Sequence, residues 1–284
     1  MRLLWFPDYL PGAESTKRNN MKGVKTAIIG GTGIYHFGEI DESESIEVRT
    51  DFGCVPVHVG KLHSRRIAFL ARHGQDHSLA PGLIDYRANI AALKKIGVRN
   101  IFATACSGSL NPEYRVGDLV LLDQFLDFTK NRQDTFLDGT HGGQVGHIDN
   151  TATYCKSLNE LVSKAGKSLG VSVKEGAIYC CMEGPRYESS AEIKMLRILK
   201  GDLVGQTNYP EVVLAREMEQ CYCAVGVVAN MAAGIGESAL TTSEVVEIMK
   251  EKISIIQEVL SKAIEFLDED RDCECHHLLD QATI

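Results

Sequence analysis

Short apolar runs punctuate the chain, and longer amphipathic stretches separate them. Lys25-Thr-Ala-Ile-Ile-Gly30 and Arg99–Ala105 are apolar almost throughout, as strands buried on both faces are. Asp118–Asp123, Gly176–Met182, Asp202–Thr207 and Tyr222–Asn230 read as further strands, and Val55–Val59 with Arg65–Leu70 as a hairpin around Gly60–His63. Tyr86–Ile96 carries apolar residues at helical spacing and stops at Gly97. Helices are also predicted over Thr153–Leu169, Ser189–Leu199, Glu211–Gln220 and Ser243–Leu267. Cys106–Ser109 reads as a small-residue turn, and Phe128–Asn150 as a long polar loop of the kind usually kept for function or an interface. Strands alternating with helices predict one α/β domain, a mixed and largely parallel sheet flanked by helices. Its expected bounds are 23–268, with a disordered extension over 1–22 and a flexible tail over 269–284.

Composition narrows the function classes. The 284 residues are 44% hydrophobic, enough for a sizeable core without staples. The net charge is −8 and no basic stripe exists, which argues against nucleic acid as a partner. No run approaches the roughly 18–20 apolar residues of a membrane span. Nine cysteines, odd in number and mostly inside apolar runs, suit reduced thiols in a cytoplasmic protein. Cys273-Glu-Cys275-His276-His277 holds metal-ligating residue types, but a frayed terminus is the preferred reading and no metal site is assigned.

Six small or polar clusters fall at predicted strand ends, where ligands of α/β sheets collect. Gly30-Gly31-Thr32-Gly33 lets main-chain N–H groups close around an anion. It matches neither the dinucleotide fingerprint, since His36 stands at the third glycine, nor the P-loop. Arg72-His73 offers a planar donor fork suited to phosphate, expected on a surface-lined pocket wall where its loss leaves the fold intact. Cys106-Ser107-Gly108-Ser109 lets a flat ligand approach the main chain. Tyr187-Glu188 sets an aromatic ring beside a carboxylate, suited to stacking on a nucleobase and accepting its N–H groups, though a helix-start acid is the bland alternative. Gln206-Thr207 and Asn230 complete the set, and an amide ending a buried strand must find partners.

In combination, Gly30-Gly-Thr-Gly, Leu70-Ala-Arg-His-Gly, Glu183-Gly-Pro-Arg and Pro210-Glu-Val-Val-Leu-Ala-Arg216 resemble the trimeric nucleoside phosphorylases, in the branch containing methylthioadenosine phosphorylase. The resemblance runs from Lys25 to Leu267. It implies phosphate held by Thr32, Arg72, His73, the Cys106 main chain and Thr207, and a purine against Ser107, Gly108 and Tyr187. It also implies a homotrimer in which His147 serves the sugar of a neighbouring site. Inorganic phosphate is then a co-substrate and no other cofactor is expected. Two departures stand out. Asn230-Met-Ala-Ala-Gly234 lacks the acidic pair that reads adenine in that branch, and Asn230 with Glu188 matches phosphorylases of 6-oxopurines. Gln206 replaces the methionine that usually lies beneath the ribose. The expected reaction is phosphorolysis of inosine, guanosine or methylthioinosine in purine salvage, with methylthioadenosine phosphorylase as the alternative. A nucleosidase using water and a non-catalytic nucleotide-binding protein fit these residues less well. Val245, Val246 and Met249 form an apolar face compatible with a 5′-methylthio group or with ordinary core, so the sugar stays open.

Overall fold

The computed structural model describes residues 23–38, 40–74, 78–140, 143–236, 241–280 and 282; the expected extension over 1–22 lies outside them. Strand β1 (Thr26–Gly30) shows how the sheet is buried. Ala27 and Ile29 enter one core while Ile28 enters the other, so alternate residues face opposite layers. Among the described residues eight further strands follow: β2 (Asp41–Thr50), β3 (Gly53–Leu62), β4 (Arg65–Ala71), β5 (Asn100–Ser109), β6 (Leu119–Phe128), β7 (Val173–Met182), β8 (Leu203–Gly205) and β9 (Cys221–Met231). Among the described residues five helices cover both faces. Helices α1 (Tyr86–Lys95) and α4 (Asn208–Glu217) pack on one core, and α2 (Lys156–Leu169) and α5 (Thr242–Phe266) on the other. The short α3 (Ser190–Ile198) opens with a reciprocal Ser189/Glu192 capping box.

The sheet is mixed, as the sequence predicts. Strand β1 lies between β4 and β5, parallel to both, and β5 is parallel to β9. A further property is not visible in the chain. The order β5-β8-β7-β6-β9 returns to β5, so five strands close on themselves as a small barrel. Closure is achieved by two antiparallel junctions, β5–β8 and β6–β9. It removes the edges that β6 and β9 would otherwise expose.

Two local readings need correction, and one strand has no counterpart in the sequence reading. Cys106–Ser109 is the last part of β5 rather than a turn, because β9 and β8 supply hydrogen-bond partners on both sides of it. Strand β3 continues to Leu62, and the hairpin turns at His63-Ser64, both with positive φ, as a two-residue turn requires. Strand β2 is exposed and mostly polar; only Ile46 and Val48 alternate inward, too weak a period to read without its partner β3.

The largest correction is the tail. Residues 269–280, expected to be flexible, pack along the domain. Glu269 accepts from Thr26 Oγ1 at 2.5 Å, and Arg271 donates to Asn100 Oδ1 at 2.7 Å and Ser157 Oγ at 2.9 Å. Cys275 is buried in the 3₁₀ turn Glu274–His277. Each partner lies at least 110 residues upstream, so composition alone could not reveal the docking.

Candidate active site

The C-terminal ends of β1, β4, β5 and β9 surround one cavity of about 440 Å³, completed by the segments that follow β7 and β8. Eleven of the twelve residues singled out in the sequence line it: Thr32, Arg72, His73, Cys106, Ser107, Gly108, Tyr187, Glu188, Gln206, Thr207 and Asn230. The twelfth, His147, is exposed and lies elsewhere, with its main-chain N–H on the Ala282 carbonyl at 2.7 Å.

At one end the glycine turn after β1 folds tightly over Arg72. A Cβ on Gly31 would lie 2.9 Å from both Arg72 Nη1 and the Thr104 carbonyl oxygen, so only glycine lets the main chain pass. The Gly31 N–H donates to Thr104 Oγ1 at 3.0 Å, and Gly33 takes φ +84° to complete the turn. Thr32 is thereby held at the cavity wall.

Arg72 itself departs from its expected setting. It is 1% exposed, and its fork is bound edge-on by Glu211 of α4, Nε to Oε2 at 2.7 Å and Nη2 to Oε1 at 2.6 Å. Nη1 donates to the Thr104 carbonyl at 2.8 Å. Of five N–H donors these contacts use three, which leaves two for a ligand. Burial alone would depress the guanidinium, but the Glu211 carboxylate outweighs it and holds the pKa above its ordinary value. The pair continues inward. Tyr222 Oη donates to Glu211 at 2.5 Å, Asn208 Nδ2 donates to Tyr222 Oη at 3.1 Å, and Tyr154 Oη donates to Asn208 Oδ1. Arg72 is thus the outer end of a buried polar chain, not a surface donor. Glu211 was overlooked as a site residue, although it sits inside the Pro210–Arg216 motif.

His73 donates from Nδ1 to the Leu79 carbonyl at 2.9 Å, because a carbonyl only accepts; this fixes the tautomer. Thr207 is the residue before α4 and is nearly buried. Burial pushes the Cys106 thiol up to about 12, so this side chain is neutral and non-nucleophilic near pH 7.

The opposite end has a different character. Asn230 is displaced by a bulge: β5 Ser107 pairs with Val228, but Gly108 pairs with Asn230, leaving Ala229 as the extra residue. The Asn230 amide donates to the Met231 carbonyl at 2.9 Å, and a Cβ on Gly108 would lie 3.1 Å from Nδ2. One N–H and the carbonyl oxygen of the amide are left for a ligand. Glu188 is 8% exposed, and its Oε1 is buried with no hydrogen-bond partner. Burial pushes its carboxyl up, partly opposed by hydrogen bonds from its own main chain and from Gln206. Gln206 Nε2 donates to the Arg186 carbonyl at 3.0 Å, and Gly184, at φ +72°, leaves room for this side chain. Tyr187 stands at the mouth, 40% exposed. Val245 and Val246 at the start of α5 also line the cavity, whereas Met249 is core, packed behind Gly33.

Residues 25–265 match the family described as the phosphorylase superfamily. The chain belongs to that family. It is 44% identical over 263 residues to the 6-oxopurine nucleoside phosphorylase of Pyrococcus furiosus, covering 91% of this chain and 99% of that one. It is also 44% identical over 259 residues to the probable S-methyl-5′-thioinosine phosphorylase of Methanothermobacter thermautotrophicus, covering 90% and 89%. Among solved structures, a methylthioadenosine phosphorylase from an antarctic soil metagenomic library superposes with a TM-score of 0.85 at 31% identity over 93% of each chain. Schistosoma mansoni methylthioadenosine phosphorylase in complex with adenine superposes at 0.83, with 26% identity over 87% of this chain and 93% of that one. The single-domain α/β fold is that of these phosphorylases.

The buried Arg72–Glu211 pair yields a testable consequence. Arg72→Ala strands a buried carboxylate and is expected to lower stability by about 3–5 kcal/mol. Arg72→Ala/Glu211→Gln, which removes that charge, recovers part of the loss. Urea unfolding midpoints read both, and an unchanged midpoint for Arg72→Ala contradicts the assignment.

Proposed function

We propose that the protein cleaves the N-glycosidic bond of 6-oxopurine nucleosides with inorganic phosphate, giving free purine and ribose 1-phosphate in purine salvage. The observation that carries the base specificity is the buried, unpartnered Oε1 of Glu188 in a cavity whose other polar end residue is an amide. Hypoxanthine and guanine bear N1–H, which such a carboxylate accepts; adenine has a lone pair there and meets Glu188 acceptor to acceptor. Asn230 suits the same bases, its N–H donating to O6 and its carbonyl oxygen accepting from a protonated N7. Unmatched buried polar groups discriminate between substrates far more strongly than shape does. The names of the relatives at 44% identity, 6-oxopurine nucleoside and methylthioinosine phosphorylases, agree with this reading.

Phosphate is placed at the Arg72 end, with Thr32, His73, Thr207 and the Cys106 main chain as its partners. One phosphate oxygen attacks C1′ while the C1′–N9 bond breaks and its electron pair leaves with the purine. The sugar passes through an oxocarbenium-like state, which the phosphate anion stabilises from the attacking face. The purine, gathering negative charge, takes a proton at N7 from solvent, and the carbonyl oxygen of Asn230 accepts the resulting N7–H. Ser107, Gly108 and Tyr187 flank the ring, and Gln206 lies by the ribose. No cofactor besides the phosphate co-substrate is needed for this chemistry. Val245 and Val246 favour a second reading of the sugar, a 5′-methylthio group against the start of α5. Among the described residues no helix is long and apolar enough to cross a membrane. None of the nine cysteines is joined in a disulfide, which suits the cytoplasm.

Asn230→Asp is expected to reduce kcat/KM for inosine by about 2–4 kcal/mol in transition-state terms, since a donor to O6 is lost. The same change should shift the inosine/adenosine ratio toward adenosine, whose amino group can donate to the new carboxylate. Phosphate-dependent assays on inosine, guanosine, adenosine, methylthioadenosine and methylthioinosine decide this. A uniform loss on all of them, or a wild-type preference for the aminopurines, rejects the base assignment. Glu188 must be ionised to accept N1–H, and its pKa is raised. The kcat/KM for inosine should therefore fall on the acid side at a pH above the ordinary carboxylate value of 4.5. Glu188→Gln, which keeps a carbonyl acceptor, should be slower and lose that acid limb; an unmoved limb assigns it to another group. His147, remote from its own cavity, is placed at a neighbour's sugar in a cyclic trimer. Sedimentation showing a fully active monomer removes that role.

A further inference from the structure

Four cysteines outside the catalytic cavity converge from three distant parts of the chain. Cys155 is the residue before α2, Cys221 opens β9, and Cys273 and Cys275 come from the docked tail. Their four sulfur atoms all lie within 4.8 Å of one another, three of the residues being buried and Cys273 half-buried. Cys155 Sγ and Cys273 Sγ are 3.8 Å apart. Four thiolates about 2.3 Å from a tetrahedral zinc ion are spaced at about 3.8 Å, so small adjustments bring the set onto that geometry.

The surroundings suit an anionic cluster. Arg271 Nη2 points at Cys155 Sγ at 4.0 Å, and Arg216 interacts electrostatically with Cys155 and Cys275. Arg99 donates from Nη2 to His276 Nδ1 at 2.8 Å. A guanidinium only donates, so His276 Nδ1 accepts and the ring proton sits on Nε2, 3.4 Å from Cys221 Sγ. That imidazole is therefore an N–H donor to sulfur, as the outer partners of metal-bound ligands are. Among the described residues none of Arg99, Arg216 and Arg271 forms an ion pair with a carboxylate. Asp149 and Asp270 act on Arg216 and Arg99 from outside, and four neutral thiols would place no negative charge at the centre of the collar. Four thiolates around Zn²⁺ carry a net charge of −2 and supply it.

We propose that Cys155, Cys221, Cys273 and Cys275 form a structural zinc site that clamps the C-terminal tail to β9 and α2. All four ligand positions come from the protein, so the site is closed and has no place for substrate. None of the four cysteines lines the catalytic cavity. The site therefore holds the tail in place, and chemistry proceeds elsewhere.

The test uses the full-length protein purified under reducing conditions without chelator. Metal analysis is expected to give about one zinc per chain. Cys273→Ser and Cys275→Ser should each lose most of it while keeping near wild-type kcat/KM for inosine at low temperature. Arg271→Ala, which removes an outer partner, should retain zinc roughly 10–100-fold more weakly. Stripping the metal with a mercurial should lower the Tm, and added Zn²⁺ should restore it. Cobalt substitution should give thiolate-to-metal charge-transfer absorption that Cys275→Ser lacks. The proposal is overturned by metal-free protein that does not take up added Zn²⁺ with its thiols reduced. It is equally overturned if iron occupies the site, if thiol counting shows the four paired as disulfides in the native protein, or if both serine variants keep full zinc.

Discussion

The Arg72–Glu211 pair is the constraint around which the catalytic end of the molecule is arranged. Two opposite charges with fully buried side chains are tolerated only where geometry and further hydrogen bonds satisfy both. Here Glu211 receives two guanidinium donors and the Tyr222 hydroxyl, and Asn208 and Tyr154 extend the chain into the core. The network joins α4 to the ends of β4 and β9, and through the Thr104 carbonyl to β5. Gly31 is glycine because the β1 turn must lie on this guanidinium. The remaining donors of Arg72 are therefore oriented before any ligand arrives, which is what the proposed phosphate site requires of electrostatic preorganisation.

The two ends of the cavity treat their charges in opposite ways. Arg72 has most of its donors satisfied within the protein and offers only what remains. Glu188 is left with a buried oxygen lacking a partner, a desolvation penalty that the proposed base, bearing N1–H, would relieve. On the proposed reading, the largely satisfied Arg72 end takes phosphate and the unsatisfied Glu188 end takes the purine, so the cavity is complementary to two substrates rather than one. Asn230 belongs to the second end through the bulge at Ala229, which breaks the regular pairing of β5 with β9 where the ligand must be read.

Barrel closure explains why clusters from remote segments share one cavity. The β5-β8-β7-β6-β9 ring brings the segments after β7 and β8 against the ends of β5 and β9. Arg132, from the long loop after β6, fastens the rim by donating to the carbonyls of Tyr209 at 2.6 Å and Glu183 at 2.9 Å. The tail, on the other side of the fold, is tied to β1, β5, α2 and β9 by Glu269, Arg271 and His276.

By itself the sequence determined the alternation of strands and helices, because hydrophobic period and glycine stops are local properties. It also determined which residues gather at strand ends, since Thr32, Arg72, Glu188 and Asn230 each sit beside a local signal. Tertiary structure decided what those residues do to one another. Arg72 looked like a surface donor because Glu211, 139 residues away, is invisible to any local window. Cys106–Ser109 looked like a turn because its small residues are compatible with either state, and only β8 and β9 supply the ladder. The tail looked loose because its polar composition is that of a frayed end, while its partners on β1, β5, α2 and β9 are scattered through the chain. Pairing, burial and closure are properties of contacts between distant segments, and those are settled only when the chain folds.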